Sequence, residues 1–577
     1  MFKYPEEIIE RIKQRINFQT LFLGAVIALT LYIVLTPLYF LIWNSFHLAP
    51  SPVEQAPLGL RNYIVAYFDI STWKMFVNTL WFTMGSVSIG LTLGVIFAWL
   101  LERTNIPLKV SLYALVPLPM IIPGMLSAIA WILLLSPRIG VINLSVKKIL
   151  GLDKAFFDIY TIYGMFFVEG LRMVPTMFLM MVGAFRSMDP SLEEAGATSG
   201  SNNWDTARRI TFPLMLPAIL SAAMYSFTGG IQAFAIPGVI GLTAGIQVFS
   251  TKIFLATRSV PVNYSLASTY AVIFVVISAV VMVVYSRVTK RVEKYATITG
   301  KGYRPRVIDL GVLRYVAAGL IMLYVFLALI LPTMILIWGS LRPFYQVPTL
   351  ARLKQISLEA YRSALGYPQI YLALKNTVMV MLASATLNTL LGSLISWIVV
   401  RTKMRGRNLF DVFTFLPHGV PSTVIGLALL IVYLRLDFIP IYGTLWIIIL
   451  AFCTRYMTFS VRTMNAAMRQ IHGELEEAAS ASGATWSRMF LKITMPLLAP
   501  SLVSVWVWTA MHGARELSAA IMLSSPGTTV LSVIIWDLWE EGMVPETCVM
   551  GVFLIFFMAI VMILGRIYGF RAGQREG

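Results

Sequence analysis

Two stretches of the chain read as one. The first is Glu193-Glu194-Ala195-Gly196-Ala197-Thr198-Ser199-Gly200, followed by Ile210-Thr211-Phe212-Pro213 and Pro217. The second is Glu476-Glu477-Ala478-Ala479-Ser480-Ala481-Ser482-Gly483, followed by Ile493-Thr494-Met495-Pro496 and Pro500. The spacing from Glu194 to Gly200, Ile210, Pro213 and Pro217 is reproduced from Glu477 onward. The local chemistry predicts a short helix, a tight turn and a second helix. Asp189-Pro190 suits a helix start, and Glu193-Glu194 an acidic first turn. Gly200 and Gly483 suit a helix stop with left-handed backbone. Asn203 and Thr485 are the expected caps of the following helix.

Working outward, the rest of the chain repeats too. At an offset of 298, Asn78-Thr79 matches Asn376-Thr377, Gly94 matches Gly392, Trp99 matches Trp397, and Arg103-Thr104 matches Arg401-Thr402. Pro119 and Pro123 match Pro417 and Pro421; beyond a longer loop the offset becomes 283, where Arg172 matches Arg455. Such self-similarity marks a tandem architecture.

The repeats are membrane-embedded. Of 577 residues 58% are hydrophobic and 12% charged, against about 25% charged in soluble domains. Disorder is excluded by the apolar content, and a disulfide scaffold by having only Cys453 and Cys548. The predicted fold is an all-α polytopic membrane protein with about twelve transmembrane helices in two parallel six-helix repeats. The expected spans are 19–44, 76–100, 110–135, 162–185, 212–235 and 266–286, then 315–340, 374–400, 409–434, 442–463, 494–520 and 547–566. Segments 232–248 and 517–536 are apolar but broken by Gly and Pro, and are not counted as spans.

The net charge of +18 follows from loops, not from a nucleic-acid surface. With the N-terminus inside, the inner segments hold 28 Lys and Arg and the outer loops 14. The positive-inside rule then places both termini in the cytoplasm. No cleavable signal peptide is expected. The organisation reads as a cytoplasmic segment 1–18, a first repeat 19–286 with its motif loop at 189–213, and a basic cytoplasmic linker 287–314. A second repeat 315–566 follows, with its loop at 472–496, then a cytoplasmic tail 567–577. Six spans per unit make the repeats parallel, related by an axis along the membrane normal.

The pattern Glu-Ala-Ala, three residues, Gly, nine residues, Ile-x-x-Pro, placed before the fifth span of each unit, resembles the EAA loop of permease subunits of binding-protein-dependent ABC importers. The first copy departs from it only in Gly196. The resemblance implies that Glu194, Ala195, Gly200, Ile210 and Pro213, and Glu477, Ala478, Gly483, Ile493 and Pro496, belong to coupling loops that dock two cytoplasmic ABC ATPase subunits. It also implies an external solute-binding protein and a site in the cell membrane. A secondary carrier also has twelve spans in parallel repeats, but would need ion-coupling residues, which are sparse in these spans.

The chain has no G-x-x-x-x-G-K-[ST] and no H-E-x-x-H, and its four histidines have no zinc spacing. It is therefore expected to be no enzyme and to bind no cofactor, with ATP hydrolysis on separate subunits; any metal ligands stay undetermined. A fused double permease, and the stretch from Arg515-Glu516-Leu517-Ser518 to Trp536-Asp537-Leu538-Trp539-Glu540, resemble the ferric-iron-type family. Thiamine, phosphonate or another small charged solute is the alternative cargo. Arg515 and Glu516 fall at the outer end of a span, where charge is costly. They read either as a pathway gate or as an intramolecular pair; the first repeat has Ile231-Gln232 there. Arg172 and Arg455 read as structural, bonding carbonyls near kinked helices or snorkelling. Asp537, Glu540, Glu541 and Glu546 with Trp536 and Trp539 read either as a solvated loop anchored by interfacial tryptophans or as a surface that docks a binding protein or attracts cations.

Overall fold

The computed structural model describes residues 18–188, 191–293, 307–349 and 352–574. Asp189-Pro190, most of the segment 1–18, the centre of the linker 287–314 and the end of the tail lie outside the described residues. Among the described residues, nine helices are long and apolar enough to cross a membrane: Gln19–Ser45, Ile70–Arg103, Ile162–Ser187, Trp204–Ile231, Tyr264–Val284, Leu313–Ser340, Pro368–Arg401, Leu445–Gln470 and Val544–Leu564. Three bent pairs raise the number to twelve if each is one span: Lys109–Ile121 with Gly124–Leu135, Arg407–Gly419 with Ser422–Arg435, and Trp486–Leu497 with Ala499–Arg515.

The bent pairs fall at the expected spans 110–135, 409–434 and 494–520. The first two bend by 94° and 107°, and the matched prolines explain both. Pro123 and Pro421 lack a donor, and the residue before each is extended, at ψ 118° for Ile122 and 121° for Val420. The third pair bends by 77° at Leu498, between Pro496 and Pro500. Pro213 and Pro217 recur in Trp204–Ile231, which runs on unbroken, so prolines alone do not set that bend. Segments 232–248 and 517–536 form short turns and helices, none of span length.

Within the halves Ile70–Arg103 packs most closely on Ile162–Ser187 and Pro368–Arg401 on Leu445–Gln470, and the matched glycines permit it. A Cβ on Gly94 would lie 2.5 Å from Met177 Cβ, and one on Gly392 2.8 Å from Ser460 Cβ. Small residues that let helices approach are the usual device where lipid supplies no hydrophobic drive. The matched Asn-Thr pairs pin the short helices Phe249–Arg258 and Leu531–Glu540. Thr79 Oγ1 accepts from Phe249 N at 3.2 Å and Thr377 Oγ1 from Leu531 N at 2.7 Å. Asn78 donates to Gln247 O and Asn376 to Thr529 O.

The first helix of each half packs on the last helix of its own half and also reaches the other half. Phe18–Ser45 packs on Ser422–Arg435 of the second half, while Leu331–Ser340 packs on Gly124–Leu135 of the first. Tyr32 and Tyr433 share a hydroxyl hydrogen bond at 3.1 Å, and Tyr324 Oη donates to Leu171 O at 3.3 Å. The first helix of each half thus clamps the other half to it.

Candidate coupling loops and central cavity

Each motif loop is tied to the bundle by a buried ion pair. Arg103 ends the helix Ile70–Arg103 and is wholly buried; its Nε lies 3.3 Å from Glu193 Oε2. Glu193 Oε1 accepts from Thr211 Oγ1 at 2.7 Å. The second half repeats the set, with Arg401 Nε 3.2 Å from Glu476 Oε1 and Thr494 Oγ1 donating to the same oxygen at 3.1 Å. Trp397 Nε1 adds a bond to Glu476 Oε2 at 3.2 Å. Both threonines end a π-helical turn, Ala207–Thr211 and Phe490–Thr494. Three elements of each half are therefore tied together: the helix that ends at Arg103 or Arg401, the motif loop and the helix that re-enters the bundle. A pair so buried holds only because hydrogen bonds complete it.

Glu194 and Glu477 are exposed, as are Ala195, Ala478, Gly200, Gly483, Pro213 and Pro496, while Ile210 and Ile493 are half-buried. The anchoring residues are Glu193 and Glu476. Their signal was the repeated Arg103-Thr104 and Arg401-Thr402, matched in the alignment but given no role. Gly200 and Gly483 have φ of +86° and +81°, the left-handed turn expected, and a Cβ on either would meet open space. Gly196 occupies the position of the second copy's Ala479, and a Cβ there would lie 2.5 Å from Ile210 Cδ1, the movable end of that side chain. Asn202 Oδ1 accepts from Asp205 N at 2.8 Å at the start of the helix after the first turn; the side chain of the expected cap, Asn203, lies outside the described residues. Thr485 has cap backbone geometry without a side-chain cap bond.

At the other end of the re-entering helices the halves enclose a cavity of about 290 Å³, lined by both. Its polar wall holds Glu169, Arg172, Gln232, Arg455, His512, Arg515 and Glu516. Arg515 and Glu516, read as a gate or a mutual pair, turn to different partners. Arg515 Nη1 donates to Met120 O, at the bend of the first half. Glu516 Oε2 accepts from Tyr456 Oη at 2.9 Å, and its Oε1 from Ala519 N at 3.3 Å. Gln232, the position matched to Arg515, donates through Nε2 to His418 O at 3.3 Å. Met120 and His418 are themselves matched positions, so two crossed bonds join the halves about the pseudo-twofold axis. Each uses a carbonyl that a broken helix leaves without an intrahelical donor.

Arg455 bonds a carbonyl at a break, as expected, with Nη1 3.1 Å from Val420 O. Arg172 does not; it pairs with Glu169 through Nε at 2.9 Å and through Nη2. Glu169, one turn before Arg172 in an apolar span, was a signal the sequence offered. His512 Nε2 faces Arg515 Nη2 at 2.8 Å, and its Nδ1 faces Trp508 O at 2.9 Å. A guanidinium only donates, so Nε2 accepts, Nδ1 carries the proton, and His512 is neutral.

In the acidic cluster Glu540 and Glu541 are exposed, as expected of a solvated loop, while Asp537 and Glu546 are half-buried. Trp536 is buried and stacks on Phe234 of the first half at 5.6 Å, so it is an inter-half wedge, not an interfacial anchor. Burial pushes the Asp537 carboxyl up to about 6, with Arg258 opposing and Glu540 and Glu541 reinforcing. Glu546 accepts from Ser363 Oγ at 2.9 Å.

The family of binding-protein-dependent transport system inner membrane components matches twice, over residues 90–294 and 388–572. The chain belongs to this family. The double match makes the permease a fused two-repeat transporter subunit and a multi-pass membrane protein. It is 28% identical over 421 residues to the ferric transport system permease protein FbpB of Actinobacillus pleuropneumoniae, covering 71% of this chain and 59% of that one. It is 23% identical over 521 residues to the Fe(3+)-transport system permease protein FbpB 2 of Haemophilus influenzae, covering 89% and 94%. A bacterial ABC transporter that imports the acidic polysaccharide alginate aligns with 45% of the permease and 95% of its own chain, at 19% identity and a TM-score of 0.38.

Proposed function

We propose that the permease forms the translocation path of an ATP-driven importer for ferric iron delivered by an external binding protein. The observation that carries the coupling part is the duplicated loop, anchored by the same buried Arg-Glu-Thr set in each half. The exposed residues Glu194, Ala195, Gly200, Glu477, Ala478 and Gly483 then form two docking surfaces for two cytoplasmic ATPases. Exposed Trp204, Leu475 and Leu491 supply apolar area beside them. On this reading both termini are cytoplasmic. Closure of the ATPases pushes each loop, and the buried ion pair passes that push to the second and fifth helices. The halves rock about the axis between the repeats, and the cavity opens to one side at a time.

Iron as cargo is supported by the ferric permeases of Actinobacillus and Haemophilus. A second reading, a phosphonate or another small anion, is favoured by the three arginines in the cavity wall; cationic thiamine is not. Radiolabelled ferric-iron uptake by cells expressing the permease with its ATPase and binding protein tests the first reading. Uptake that needs ATP and is lost in the Gly200→Val/Gly483→Val double variant supports it. Uptake that survives ATP depletion would make the permease a secondary carrier instead.

A further inference from the structure

The cavity has a sign. Arg172, Arg455 and Arg515 face it with Glu169 and Glu516, and His512 is neutral, so the wall carries a formal +1. Both carboxylates are engaged. Glu169 receives two donors from Arg172, and Glu516 receives the Tyr456 hydroxyl and the Ala519 amide. Donor capacity, by contrast, is in surplus. A guanidinium carries five N–H donors, and Arg455 places one on Val420 O. Among the described residues no three His, Cys, Asp or Glu side chains gather where they could hold a metal ion. A bare trivalent cation would thus enter a cavity whose wall is net positive and whose two carboxylates are already engaged, while charge repulsion grows as the dielectric falls. Buried arginine in a membrane interior is costly and marks a pathway, and its planar fork matches carboxylate and phosphate oxygens.

We infer that this cavity binds an oxyanion, a carboxylate or a phosphate, and that the cargo passes it in anionic form. The inference rests on the importer reading, and for an iron importer it means that the ferric ion travels with its oxyanion. The oxyanion reaches the site either alone or as part of a ferric complex.

The test is equilibrium binding of [14C]citrate, [32P]phosphate and [55Fe]ferric citrate to the complete complex, permease with ATPases, in nanodiscs. At least one oxyanion binds saturably, and Arg455→Gln weakens it by about tenfold or more, the worth of a charge-assisted hydrogen bond. Arg455→Lys recovers part of that loss. Iron retained only together with citrate assigns the complex as the source; citrate or phosphate retained equally without iron assigns the free anion. Because Arg455 also ties Val420, a second measurement uses the unaltered protein: citrate slows phenylglyoxal labelling of Arg455 and Arg515, read by mass spectrometry. Binding of no oxyanion above empty nanodiscs overturns the inference. So does labelling that citrate leaves unchanged, or binding of Ga3+ without anion that rises when Arg455 is replaced. Failure of ATP-driven iron uptake with oxyanion binding intact would remove the iron reading and leave the anion site standing.

Discussion

Arg103, Glu193 and Thr211 in the first half and Arg401, Glu476 and Thr494 in the second are one device built twice. At the other end of the same helices the repeat lapses: Gln232 stands opposite Arg515, and Glu169 opposite Phe452. The crossed bonds keep their geometry, since both donors reach the matched carbonyls Met120 and His418. Their chemistry differs, one neutral amide against one guanidinium. A fused chain is free to diverge wherever its two halves meet different things. The halves are alike at the motif loops and differ at the cavity, where each contributes a different wall.

The largest expected effect tests whether the paired anchors are equal. Glu193→Ala and Glu476→Ala each strand a buried guanidinium, at a cost of about 3–5 kcal/mol. Side-chain exposure is 0% for Arg103 and 15% for Arg401, so the first-half variant should lose more. Thermal unfolding of the purified permease measures both, and equal losses would show that water reaches the two sites alike. Next come the crossed bonds. Arg515→Gln makes the two ends chemically identical and should cut uptake about tenfold to hundredfold, the range of a hydrogen bond to a charged group. Gln232→Ala removes a neutral bond and should cut it by roughly fivefold. Equal effects on the initial uptake rate would mean that the charge of Arg515 has no function.

Much of this was legible from periodicity. The span count, the repeat, the left-handed glycines and the short turns at 232–248 and 517–536 all follow from residues that act locally: apolar runs, Gly and Pro. Pro123 and Pro421 also signalled a break, yet apolar length alone reads straight through them, and the 94° and 107° bends are what that reading loses. What remained hidden is what distant elements do to one another. Glu193 finds Arg103 only because two helices end at the same depth, so the sequence could show an acidic pair but not which member turns inward. Trp536 looked like an interfacial anchor until Phe234 of the other half came to meet it. Arg515 and Glu516 are neighbours in sequence, yet each is claimed from elsewhere, by Met120 and by Tyr456.

The motif turns should respond alike. A β-branched residue at φ +86° or +81° is strained by about 1–2 kcal/mol, and open space around each Cβ means that backbone strain is the whole intrinsic cost. Gly200→Val and Gly483→Val should therefore lower thermal stability equally and slightly, while each reduces ATP-driven uptake. Uptake lost in one variant and retained in the other would show that the two loops do not share the coupling.

The smallest effect concerns the outer rim, where Asp537 of the second half faces Arg258 of the first. Burial raises the Asp537 carboxyl from 3.8 to about 6, so folding takes up a proton between those values. Its favourable contribution is complete below about pH 4 and disappears as the pH rises through about 6. Above that, the charged carboxylate is held where burial disfavours it, and Arg258 compensates only in part. Asp537→Asn should therefore raise the unfolding temperature at pH 7 and flatten its rise on acidification towards pH 5. Neighbouring Glu540 and Glu541 strengthen the shift, so Glu540→Gln in the wild-type background should move the midpoint of that rise to lower pH. A midpoint that stays in place would leave burial alone, and not the second half's acidic cluster, as the cause.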